Sequence, residues 1–88
     1  MNPASSIAAV NAGRILVEQG RVDEGIDQLN RALDIDAHAL DAYIVLSSAY
    51  EKTGHEKEAL AALDEARRIR PDDPAIQTAK DRITAAKH

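Results

Sequence analysis

The chain has 88 residues, a mass of 9.5 kDa, a net charge of −4 and 44% apolar residues, enough for one small globular domain. Alanine is the commonest residue type, nearly as frequent as Leu, Ile and Val taken together; the only aromatics are Tyr43 and Tyr50, with no Phe, Trp or Cys. This excludes a disulfide scaffold, a cysteine-ligated zinc or iron–sulfur centre and an aromatic base-stacking platform, and the acidic balance leaves no basic footprint for nucleic acid.

In chain order, the opening Met1-Asn2-Pro3-Ala4-Ser5-Ser6 lacks the positive region of a signal peptide. The longest uncharged stretch, 1–13, is too short and polar to span a bilayer. A soluble cytoplasmic domain with no membrane partner is therefore expected. The first segment, ending before Gly20, reads as a helix that is apolar over more than half its circumference. Its apolar arc runs from Ala8 and Ile15 through Leu16 and Ala9 to Val17 and Val10, and Asn11, Arg14 and Glu18 make up the polar remainder. Gly20 suits a left-handed C-cap. The second segment repeats apolar residues at Ile26, Leu29 and Ala32/Leu33, then breaks at Asp36-Ala37-His38. A third helix carries both tyrosines and ends at Gly54. The fourth places Ala59/Leu60, Leu63 and Ala66 on one stripe and stops at Pro71-Asp72-Asp73-Pro74. Asp73 followed by Pro74 predicts an N-cap with proline at the first helical position. The last helix has a narrow apolar stripe of Ile76, Ala79, Ile83 and Ala86, with Gln77, Lys80, Asp81, Arg82, Thr84 and Lys87 expected in water. No period-two run occurs, so the chain is all-α.

The offset that superposes Gly20 on Gly54 also brings Glu24 onto Glu58, Leu29 onto Leu63, Ala32 onto Ala66 and Ile35 onto Ile69. Residues 6–39 form one unit, 40–73 a second, and 74–88 a capping helix. A helix–turn–helix period of this length, about 34 residues, resembles the tetratricopeptide repeat family. In the second unit Tyr43, Leu46, Ser47 and Tyr50 occupy the family's helix A positions. Gly54 is its turn, Ala59, Leu63 and Ala66 its helix B, and Pro71 its closing proline. In the first unit Ala9, Ala12, Gly13 and Leu16 stand in helix A, Gly25, Leu29 and Ala32 in helix B, and Ala37 replaces the proline. The resemblance implies five helices in antiparallel hairpins, stacked as a short right-handed superhelix. Close approach is expected where Gly13 or Ser47 faces Gly25 or Ala59. With alanine at positions 9 and 12, the first unit is expected to be the looser one.

The same resemblance implies a protein–protein interaction module whose A helices line a concave groove. The family's groove positions fall here on Ile7, Val10, Arg14, Val17 and Glu18, and on Asp41, Ile44, Ser48, Glu51 and Lys52. This is an apolar strip with charged flanks, suited to a peptide or helix of a partner. Val10, Arg14 and Val45 occupy positions where a carboxylate-clamping relative carries Lys and Asn, so a chaperone-tail clamp is not expected. In a longer array a preceding helix would cover the Ala8/Ile15 side of the first helix. That face is expected to pack against a second copy, an upstream domain or a partner, and the alternative reading is structural, a homo-oligomer, such as a homodimer, formed through it. Catalysis has no foothold, since Ser47 and Ser48 lack a triad context and no phosphate-binding glycine loop is present. The string Asp34-Ile-Asp36-Ala-His38 reads as a helix end and turn rather than a metal site. Arg67, Arg68 and Arg70 read as cations at a helix C-terminus. No cofactor is expected.

Overall fold

The computed structural model describes residues 3–85, with side chains from Ser6 onward. Five helices follow one another: α1 (Pro3–Glu18), α2 (Val22–Ile35), α3 (Leu40–Lys52), α4 (Glu56–Ile69) and α5 (Pro74–Ala85). No strand occurs among the described residues. The all-α architecture of helical hairpins is therefore as the sequence predicts.

The breakers act through the backbone. Gly20 and Gly54 have φ of 84° and 78°, the left-handed region that side chains avoid. Behind Gly20, Arg21 N–H donates to the Leu16 carbonyl (2.8 Å) and Gly20 N–H to that of Val17 (3.0 Å). Behind Gly54, His55 N–H donates to Tyr50 (2.9 Å) and Gly54 N–H to Glu51 (3.2 Å). Both ends are Schellman motifs, which satisfy carbonyls left over at a helix C-terminus. Between α2 and α3 the turn is closed differently. The Asp36 carboxylate accepts the His38 N–H at 3.0 Å, an Asx turn. At the start of α5 the Asp73 carboxylate accepts the Ala75 N–H at 3.0 Å, the expected N-cap beside Pro74.

Packing follows the small residues. A Cβ built on Gly13 would stand 2.7 Å from Leu29 Cγ, and one on Gly25 would stand 2.7 Å from Val17 Cγ2. Only glycine allows α1 and α2 to cross so closely. These two helices share the most extensive contact of any pair in the molecule. Alanine at positions 9 and 12 reduces side-chain volume, but the glycine crossing brings the axes together and the space closes.

Two buried clusters result. One joins α1, α2 and α3 through Ala9, Val10, Leu29, Ala32, Ala42 and Leu46, with Ala62 of α4. The other joins α4 and α5 through Ala59, Leu63, Ala66, Ile76 and Ile83. Tyr43 and Tyr50, both half-buried, pack against both clusters. On α5, Ile76 and Ile83 are buried and Ala79 is half-buried, while Ala86 lies outside the described residues. Arg82 is exposed as expected and pairs with Glu51 at 2.8 Å, whereas Lys80, also expected in water, is half-buried and pairs with Asp64 at 2.7 Å.

Candidate functional site

The residues expected to line a groove divide between two clefts along α1 and α3. The first, about 320 Å³, is walled by Ile7, Val10 and Arg14 of α1 and by Leu40 and Asp41 of α3, and includes Asp36 and Arg70. The second is lined by Arg14, Val17 and Glu18 of α1 and by Ile44, Val45, Ser48 and Lys52 of α3. Arg14 belongs to both and stands where they meet. Helix periodicity explains the grouping. Residues 7, 10, 14 and 18 recur every three or four positions along one face of α1, and 41, 44, 48 and 52 do so along α3.

Their accessibility is uneven. Ile7 is 63% exposed, but Val10 and Val17 are each only 5% exposed. The two valines therefore form the floor and lend little surface to a ligand. Val10 is committed to the buried cluster, and Val17 fills the space that Gly25 leaves open. The exposed apolar contribution comes from Ile7 at one end and half-buried Ile44 towards the other. Glu51 departs from the expectation. Its carboxylate is held by Arg82 of α5 and lines neither cleft.

Asp36 and Arg70 are not among the residues expected to line the groove. They stand one repeat apart and occupy the same position in successive units, just after a helix B. The repeat register carries the signal. A residue closing one hairpin stands beside the opening turn of the next helix A. With Arg14 and Asp41, they give the first cleft two cations and two anions over an apolar floor. Neither arginine is engaged in an ion pair within the described residues.

Outside the clefts, Ala8 is exposed and Ile15 is 52% exposed on the side of α1 that faces no other helix. Their counterparts in the second unit, Ala42 and Ala49, are fully buried. Among the described residues, no group of three or more His, Asp or Glu side chains is placed to share a metal ion. No described helix is long and apolar enough to cross a membrane.

The tetratricopeptide repeat family model matches residues 16–83, more than half of the chain. A comparison with curated proteins finds no match.

Proposed function

Starting from the premise that the chain belongs to the tetratricopeptide repeat family, whose repeats are generally non-catalytic protein–protein interaction modules, we propose that it docks a peptide or helix of a partner along the α1/α3 clefts. Ile7 and Ile44 bury apolar side chains of the partner. Arg14, Glu18, Asp41, Ser48 and Lys52, joined by Asp36 and Arg70, select it by charge and hydrogen bonding. The observation that carries this reading is the mixed-sign lining over an apolar floor, with both arginines free of ion pairs among the described residues. Such a surface offers burial and orientation together, the usual division of labour in peptide recognition. Arg14→Glu and Ile7→Asp alter it at exposed positions. Proteins captured by the wild type should be lost by both variants while helicity and melting temperature hold. Unchanged capture by both overturns the reading.

A second reading rests on the uncovered face of α1, where Ile15 is half in water. Here two copies associate through Ala8 and Ile15. Light scattering of the wild type and Ile15→Glu decides it. A dimer that the glutamate breaks supports self-association, and a wild-type monomer at high micromolar concentration removes it.

A further inference from the structure

A third depression shares no residue with the two clefts. Its floor is Tyr43, Leu46 and Tyr50 on the opposite side of α3, and its walls come from α2 and α4. On the α4 wall stand Glu58 and Glu65, with Ala61 and Ala62 between them. Among the described residues no Lys, Arg or His lines it, although the His55 ring meets the Tyr50 ring edge-on at 6.2 Å between centroids, whereas both α1/α3 clefts mix charges of both signs. Glu58 has no ion-pair partner among the described residues, and Glu65 meets only exposed Arg68, at 3.5 Å. A long surface pair of that kind holds a carboxylate weakly.

The spacing is regular. Tyr43 and Tyr50 are seven residues apart on α3, and Glu58 and Glu65 are seven apart on α4. Seven residues advance a helix by about 10.5 Å and return to nearly the same face. In an antiparallel hairpin turning at Gly54, Tyr50 and Glu58 stand equally far from the turn, as do Tyr43 and Glu65. The groove thus holds two tyrosine–carboxylate stations two turns apart, separated by an alanine saddle.

We propose that this groove is a second docking site, which takes a helix of a partner protein carrying two cationic side chains seven residues apart with an apolar residue between them. Each cation meets a carboxylate and the electron-rich face of a phenol ring, and the apolar residue sits on Ala61 and Ala62. The lining, whose charged members are Glu58 and Glu65, selects against helices that present carboxylates at the same spacing.

The test uses the intact protein and a synthetic 14-residue helical peptide of leucine, alanine and lysine, with lysines seven apart; its twin carries glutamate in place of lysine. Tyr43 and Tyr50 are the only tyrosines and both line the groove, so ¹³C-labelled tyrosine rings report its occupancy directly. The lysine peptide should shift both ring signals and the glutamate peptide neither. Glu58→Gln with Glu65→Gln should weaken binding by roughly three- to tenfold, the range for two exposed charge pairs. Asp23→Asn with Asp27→Asn removes the same charge from exposed positions on α2 and should leave the affinity within twofold. Ala61→Arg, at an exposed position, should abolish the ring shifts without altering the fold. Unmoved tyrosine signals, equal weakening by the two double variants, or an Ala61→Arg protein that binds as the wild type does would each overturn the proposal.

Discussion

A Cβ on Gly13 would stand 2.9 Å from the carbonyl oxygen of Gly25, and one on Gly25 would stand 2.8 Å from that of Gly13. The obstacle in each case is backbone, which cannot swing aside as the end of a side chain does. Gly13→Ala and Gly25→Ala should therefore each destabilise by about 1–3 kcal/mol, as overpacking does, despite alanine's better helix propensity. Thermal melting followed by circular dichroism checks this, at roughly 4–8 °C per kcal/mol for a domain of this size. A rise in melting temperature for either variant contradicts the crossing.

Gly20 and Gly54 make a contrasting pair. Nothing lies within 4 Å of a Cβ at either, yet both have positive φ. Alanine there meets only backbone strain, so the loss should be about 1–2 kcal/mol at each turn. Asparagine, which tolerates the left-handed region better, should recover part of it. Melting curves of Gly54→Ala and Gly54→Asn give the comparison, and identical losses would show that φ is not the cause.

Leu29 and Leu63 occupy the same position in successive units, and both are completely buried. Truncation to alanine removes buried methylenes and leaves a cavity, at a cost of about 2–5 kcal/mol. That is a large share of the stability of a small domain. Urea titration should show a lower midpoint for both variants, and neither is expected to remain fully folded near body temperature.

Lys80 and Asp64 tie α5 to α4 at 2.7 Å, with Lys80 the better covered partner. A double-mutant cycle with Lys80→Ala and Asp64→Ala should return a coupling of about 0.2–1 kcal/mol that shrinks in high salt. A coupling independent of salt would point to packing of the lysine stem instead.

Helices and turns were legible because their signals are local. Gly20, Gly54 and Asp73 act within a few residues of themselves, and the repeat register located the Gly13–Gly25 approach. Burial across helices was harder to read. On a single-helix wheel Val10 and Val17 share a face with Arg14, but whether a valine roofs a groove or floors it depends on the distance to α3. The close approach of α1 and α2 has a related cause. Side-chain volume was legible in the sequence, whereas the axis separation set by two facing glycines is a pairwise property. Glu51 pairs with Arg82 across 31 residues, beyond the reach of any periodicity within one helix. Asp36 and Arg70 were within reach, because the repeat assigns them the same place at the mouth of the cleft.

The position of Tyr43 and Tyr50 against both buried clusters bears on how the molecule melts. In a linear stack each unit touches only its neighbours, and unfolding becomes all-or-none only where the coupling between units is strong compared with their own stabilities. Part of that coupling passes through two phenol rings on one helix, beside Ala42, Leu46 and Ala62. Weakening the ring contacts should loosen that coupling, so that calorimetric and van't Hoff enthalpies draw apart. The same two side chains thus help to set the size of the cooperative unit.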